Sequence, residues 1–154
     1  AEFPTSQSTE QENTMNRYHY LPLLGRVLIG LPFFMSGLGK LAAHDATVGY
    51  IASVGLPAPG LAYLAALLIE AGGGLLLIAG YRTRAVALAL AVFSVIAAVF
   101  FHHDFADQNQ MIHFLKNVMM AGGLLQIVFF GAGPLSLDAR LGRTATPSSA
   151  ASLG

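Results

Sequence analysis

Apolar residues gather into four blocks along the chain, separated by short polar or glycine- and proline-rich stretches. The blocks run over about residues 21–41, 61–80, 85–101 and 111–131. Each has close to the roughly 20 residues that a helix needs to cross a hydrocarbon layer of about 30 Å. Strands of a membrane barrel would be about half as long and would alternate polar with apolar residues. The pattern therefore predicts an all-α fold, a bundle of four transmembrane helices.

The arginines outside the four blocks indicate the orientation of this bundle. The connections over residues 42–60 and 102–110 contain no lysine or arginine. The arginines lie before the first block, between the second and third, and after the fourth: Arg17, Arg82, Arg84, Arg140 and Arg143. The positive-inside rule then predicts that both termini are cytoplasmic. We expect a multi-pass protein of a bacterial-type inner membrane.

The remaining segments are assigned by composition. Residues 1–14 are polar and aperiodic and precede Met15, so we expect them to be disordered or to be an added segment. The membrane domain is predicted over residues 15–141, and residues 142–154, rich in Ser, Thr, Ala and Gly, are predicted to be a disordered tail. The connection over residues 42–60 is too long for a tight turn and is predicted to contain a short interfacial helix.

Composition and charge exclude several classes of function. Hydrophobic residues make up 55% of the chain and charged residues only 10%, whereas soluble proteins have about 25% charged residues. Eight basic and eight acidic residues give a net charge of zero, so no basic surface for nucleic acid is expected. The absence of cysteine excludes disulfides, thiolate metal sites and iron–sulfur clusters. Any redox role would need a borrowed cofactor.

Three charged residues fall inside the predicted spans: Arg26, Glu70 and Lys116. An unpaired charge near the bilayer centre costs between about 3 and about 15 kcal/mol, so these side chains must face protein, water or each other. Their depths, at about 1.5 Å per residue, predict a buried Arg26–Glu70 pair with Lys116 and Asn117 nearby. Lys40, at the outer end of the first helix, is expected to extend into the head groups. The charges would then either fix the helix register or line a cavity open to the outer leaflet.

A second polar cluster is predicted at the outer ends of the third and fourth helices, and it includes Asp104 and Asp107. We expect a solvated rim that exchanges protons, and no metal. In the alternative, His102, His103 and His113 hold zinc, copper or iron, or approach the edge of a haem. Their spacing matches no closed ligand motif.

Three stretches together resemble the DoxX family of small four-helix membrane proteins: RVLIGLPFFMSGLGKL, GLPAPGLAYLAALLIEAGGGLLLIAGYRTRAVAL and HFLKNVMMAGGLLQIVFFGAGPLSLD. The resemblance covers about residues 21–138. The recurrent family positions fall on Arg26, Ser36, Gly37, Lys40, Glu70, Gly73, Arg84, His102, Lys116, Asn117, Gly131 and Asp138. The resemblance implies a connection with quinones or redox chemistry, because family members include a subunit of a quinol oxidase and parts of thiosulfate:quinone oxidoreductases.

These observations lead to one hypothesis and two alternatives. The chain is expected to be a subunit of a membrane redox complex that binds a quinone or a similar amphiphile, with a redox protein as its partner. In this hypothesis Glu70 is the catalytic residue and relays a proton, Arg26 holds its ionised form, and Lys116, Asn117 and Ser36 help to bind the ligand. The alternatives are a non-catalytic scaffold or assembly partner, and a small-solute transporter acting as a homo-oligomer.

Overall fold

A computed structural model describes residues 18–144 of the chain as a bundle of helices. The helices are α1 Leu21–Ala42, α2 His44–Ser53, α3 Pro59–Ala79, α4 Thr83–Phe101, α5 Gln108–Phe130 and α6 Leu137–Thr144. Over these residues there is no β-strand, and α1, α3, α4 and α5 are long and apolar enough to cross a membrane. The prediction of an all-α fold with four spans is confirmed, whereas the cytoplasmic location of the termini stays a prediction.

The predicted helix boundaries agree with the observed ones to within three residues. The short helix expected in the first outer connection is present as α2. At the C-terminal end, α6 continues to Thr144, three residues into the segment predicted to be a disordered tail. The predictions for residues 1–14 and 145–154 lie outside the described residues.

The four spans pack as two hairpins that share one core. Helix α1 packs against α3, α4 packs against α5, and α3 joins the two pairs by its contacts with α4. The core between them is formed by Phe33, Leu77, Ala87, Leu90, Ala91, Ala121 and Leu124. Most other large apolar side chains point outward, which suits a bundle whose solvent is hydrocarbon rather than water.

Glycines allow α1 and α3 to approach closely. A Cβ atom on Gly37 would lie 2.6 Å from the backbone nitrogen of Ala71, and one on Gly74 would lie 2.6 Å from that of Phe34. Both distances are far below van der Waals contact, so only glycine fits at this spacing of the two backbones. This contact places residues 36–40 of α1 directly beside the middle of α3.

We expect Gly37→Ala to lower the free energy of unfolding by about 1–3 kcal/mol, because the added methyl group would force the two backbones apart. Gly39→Ala is the matched control, since a Cβ atom there meets no atom within 4 Å. Denaturant titration of the detergent-solubilised protein measures both effects. Equal stability of the two variants would contradict the close packing.

Candidate functional site

The α1–α3 contact carries an intramembrane ion pair near the end of the bundle where α1 ends and α3 begins, which the positive-inside rule predicts to be the outer end. Lys40 Nζ lies 2.6 Å from Glu70 Oε2. Ser36 links the two charged groups, because its hydroxyl accepts a hydrogen bond from Lys40 Nζ at 3.1 Å and donates one to Glu70 Oε1 at 3.3 Å. Ser36 lies four residues before Lys40, which places both side chains on one face of α1. We call these three residues the outer triad.

The local structure of α3 presents Glu70 to this triad. Residues Leu68–Gly72 form a π-helical turn in the middle of the span, and Glu70 is its central residue. Such turns are rare and are frequent at functional sites. The Glu70 side chain is only 8% exposed, whereas that of Lys40 is 25% exposed and Ser36 lies at the surface. The carboxylate is therefore buried, while its two partners can be reached from outside the bundle.

Tyr63 and His44 lie next to the triad at the end of α1. The hydroxyl of Tyr63 donates a hydrogen bond to the backbone carbonyl of Lys40 at 3.3 Å. The ring of His44, at the start of α2, meets the ring of Tyr63 edge-on at 4.7 Å between centroids. These contacts connect α2 to the end of α1 and the start of α3.

The predicted Arg26–Glu70 pair is wrong. Arg26 is 1% exposed and its guanidinium donates hydrogen bonds to the carbonyl oxygens of Leu77 and Ile78, at 3.1 and 2.8 Å, and to that of Leu135. The C-terminal carbonyls of a helix have no partners within that helix, and lipid supplies no donor for them. Arg26 therefore closes the C-terminal end of α3 and ties it to the segment after α5.

The expected extension of Lys40 into the head groups is also wrong, and one geometric rule explains both errors. Side chains on a helix lean toward the N-terminus of that helix. On α1, Arg26 and Lys40 therefore both lean toward the inner end, so that Arg26 moves away from Glu70 and Lys40 moves toward it. Glu70 lies on a span of opposite direction and leans outward to meet Lys40.

Lys116 and Asn117 do not join Glu70, contrary to the prediction. Lys116 is exposed, and the Asn117 side chain donates a hydrogen bond to the backbone carbonyl of His113 at 2.9 Å, on its own helix. Both lie on α5, which packs mainly against α4 rather than against α1 or α3. Of the residues predicted to bind the quinone or amphiphile, the structure brings together only Ser36 and Glu70.

Two of the outer histidines do lie together. The rings of His102 and His113 stack with centroids 5.0 Å apart. Burial, followed by the neighbouring His113 and Lys116, lowers the pKa of His102, and a polar contact with Gln110 offsets this only in part. Within residues 18–144, no three His, Cys, Asp or Glu side chains are grouped closely enough to hold a metal ion, so the alternative of His102, His103 and His113 as ligands gains no support.

Asp138, beyond the last span, holds the inner ends of three elements together. Its two carboxylate oxygens accept hydrogen bonds from the backbone amides of Arg82 and Thr83, at 2.7 and 2.9 Å, and so cap the start of α4. Its own amide donates to the carbonyl of Gly80 at 2.8 Å. Burial alone would raise the pKa of this carboxyl, but the hydrogen bonds from α4 and the charge of Arg26 outweigh burial and lower it.

Sequence reasoning identified neither the role of Lys40 nor that of Asp138. A signal was present for Lys40, because Arg26, Gly30, Phe33, Gly37 and Lys40 recur on one face of α1, and the first four of these are buried. For Asp138 the signal was weaker. A carboxylate close after a span can cap a helix, but the sequence does not indicate which helix Asp138 caps.

Comparison with known proteins adds relatives from bacterial inner membranes. Residues 21–103 match the sequence model of the DoxX family. The chain is 34% identical over 121 residues to inner membrane protein YqjF of Escherichia coli (strain K12), covering 79% of this chain and 92% of YqjF. It is 36% identical over 126 residues to inner membrane protein YphA of the same strain, covering 78% of this chain and 89% of YphA.

A shorter match joins the chain to CatD of Bacillus subtilis (strain 168), whose name provisionally classes it as an oxidoreductase. The identity is 40% over 70 residues, covering 46% of this chain and 51% of CatD. No solved structure gives a significant match.

Asp138→Asn is expected to lower the free energy of unfolding by about 1 kcal/mol at pH 7, because the amide retains only part of the cap and loses the charge. The folded-state pKa of Asp138 lies below the ordinary value of 3.8. Its stabilisation is therefore present above that value and is lost as the pH falls through the folded-state pKa.

Denaturant titration at pH 7 and at acid pH tests this prediction, and the difference between the variant and the original chain should shrink in acid. Asp107→Asn is the control, because Asp107 also caps a helix, α5, but only through the nearby amide of Asn109. If Asp138→Asn lowered the free energy of unfolding by the same amount at both pH values, the role of the Asp138 carboxylate as a charged cap would be contradicted.

Proposed function

The chain belongs to the DoxX family and is a multi-pass inner membrane protein, and from this premise we propose that its outer triad binds the head group of a quinone or a similar amphiphile. The triad would serve as one binding site within a membrane redox complex. One observation carries the proposal: the Lys40–Glu70 ion pair, 2.6 Å apart, has its carboxylate buried and its cation partly exposed. An ion pair at this depth is costly, and ionisable residues inside membrane spans usually mark functional sites.

The hydrogen-bonding capacity of the triad suits such a ligand. The Lys40 ammonium has three donors: it donates one hydrogen bond to Ser36 and forms an ion pair with Glu70. The third donor remains for a carbonyl oxygen of the ligand. As the redox partner removes the electrons of a bound quinol, the Glu70 carboxylate would accept the hydroxyl proton that is released, and Lys40 would hold the carboxylate in place between proton transfers.

The proposal assigns the roles differently from the sequence-based hypothesis. Glu70 keeps the role of proton acceptor and Ser36 stays in the binding site. Lys40 replaces Arg26 as the counter-ion. Lys116 and Asn117 are left out, because both lie on α5, where Lys116 is exposed and Asn117 donates a hydrogen bond within its own helix. The match to CatD supports a redox connection only as far as its name does.

A non-catalytic scaffold is the second candidate, and the exposure of α5 favours it. Only 11% of the most apolar part of α5 is buried inside the bundle, compared with 22–28% for the other three spans. A helix this open offers a surface on which a partner span or a second copy can pack. In a scaffold, the Lys40–Glu70 pair and Arg26 would only stabilise the packing of the helices.

Binding of a short-chain ubiquinone and its quinol to the detergent-purified protein tests the first proposal. We expect saturable binding to the original chain. Glu70→Gln should weaken quinol binding about tenfold or more, because a neutral amide replaces a charged acceptor. The matched control is Asp45→Asn, which removes a fully exposed carboxylate near the same end of the bundle.

Thermal unfolding and circular dichroism show that each variant is folded before its binding is compared. The proposal would be wrong if the original chain bound no quinone or quinol. Unchanged quinol affinity in folded Glu70→Gln, or an equal loss in Asp45→Asn, would also contradict it. A defined complex with another protein and no quinone binding would favour the scaffold.

A further inference from the structure

A cleft of about 510 Å³ opens at the end of the bundle opposite the outer triad. It lies between the start of α4 and the segment that joins α5 to α6. Its polar residues are Arg82, Arg84, Ser136 and Asp138, and Phe130 and Gly131 are among the others that line it. The positive-inside rule predicts that this end is cytoplasmic. The outer triad takes no part in the cleft.

The guanidinium groups of the two arginines in the cleft have no partner within the described part of the chain. Arg82 and Arg84 are both exposed, and among residues 18–144 neither guanidinium has a hydrogen bond or an ion pair. The Arg84 guanidinium lies over Gly131, where a Cβ atom would be 3.5 Å from Nε and 3.6 Å from Nη2. Gly131 has a φ of +84°, which glycine adopts readily. The guanidinium is thus held against the wall of the cleft with its donors available.

The carboxylate in the cleft does not neutralise these arginines. Both oxygens of Asp138 accept backbone amides at the start of α4, and the charge closest to it in effect is that of buried Arg26. The cleft is therefore lined by two arginines and one carboxylate, and the charge of that carboxylate also acts on Arg26, so the cleft has a net positive charge. A ligand for it should be anionic and should present oxygen acceptors in the plane of a guanidinium.

Apolar groups beside the cleft place it at the edge of the hydrocarbon. Phe129 and Phe130, at the end of α5, are 75% and 74% exposed. Leu137 and Leu141 on α6 are also exposed, at 41% and 53%. Large apolar side chains directly beside exposed arginines are typical of the boundary between acyl chains and head groups. An anion at this depth would carry its own acyl chains.

We propose that this cleft binds the phosphate group of an anionic glycerophospholipid from the cytoplasmic leaflet. Arg84 holds two phosphate oxygens with its fork of donors, and Arg82 supplies the second positive charge. The acyl chains of the lipid run along the exposed end of α5. The site is independent of the outer triad and of its proposed ligand.

Lipid binding measured by native mass spectrometry tests this site, with phosphatidylglycerol and phosphatidylcholine of the same acyl chains as probes. The original chain should prefer phosphatidylglycerol. In the double variant Arg82→Gln/Arg84→Gln, the affinity for phosphatidylglycerol should fall roughly thirtyfold, since each basic residue near an anionic head group contributes about a fivefold gain. Arg84→Gln alone should give an intermediate loss.

Arg140→Gln is the matched control, because it removes an exposed arginine on α6 that does not line the cleft. It should leave the affinity within about twofold of the original. Inorganic phosphate in excess, added to the protein with phosphatidylglycerol already bound, is the second probe and should not displace the lipid.

Three results would overturn the proposal: no preference for phosphatidylglycerol, unchanged affinity in the folded single and double variants, or an equal loss in Arg140→Gln. Saturable binding of inorganic phosphate that displaces the lipid would assign the cleft to a free anion instead.

Discussion

Hydrocarbon offers no hydrogen bonds, so each charge and each free carbonyl inside the membrane must find its partner within the protein. Helix α1 meets this constraint with two cations on one face, Arg26 and Lys40, about 21 Å apart along its axis. The first satisfies the open carbonyls at the end of α3, and the second satisfies the carboxylate of Glu70. The close contact between α1 and α3 at Gly37 and Gly74 makes both arrangements possible.

The two cations of α1 differ in exposure, and therefore in whether a ligand can reach them. Arg26 is 1% exposed and is surrounded by backbone, so no ligand can reach it without unfolding the end of α3. The Lys40 side chain is 25% exposed and retains one donor. A polar head group can reach the exposed counter-ion of such a buried carboxylate and form a hydrogen bond with it. This contrast supports the proposed ligand site at Lys40 and Glu70, whereas Arg26 serves the stability of the fold.

Hydrophobic patterning predicted the four spans to within three residues, because the position of a span depends only on the run of apolar residues along one helix. The partners of the charges could not be obtained in this way. Depth arithmetic placed Arg26 near Glu70 because it ignored the lean of side chains toward the N-terminus of a helix. The prediction also considered only charged side chains as partners for Arg26. The backbone carbonyls at the end of α3 lack hydrogen-bond donors within their helix, and Arg26 pairs with these instead. Which helices pack together, and hence the separation of Lys116 from Glu70, is not encoded in local periodicity.

The most direct test of the pairing is a double-mutant cycle on the free energy of unfolding in detergent. The account predicts a coupling energy of at least about 1 kcal/mol between Lys40→Met and Glu70→Gln, because the two side chains are in contact. Arg26→Met and Glu70→Gln should be additive to within about 0.5 kcal/mol. Additivity for Lys40 and Glu70, with coupling between Arg26 and Glu70 instead, would contradict it.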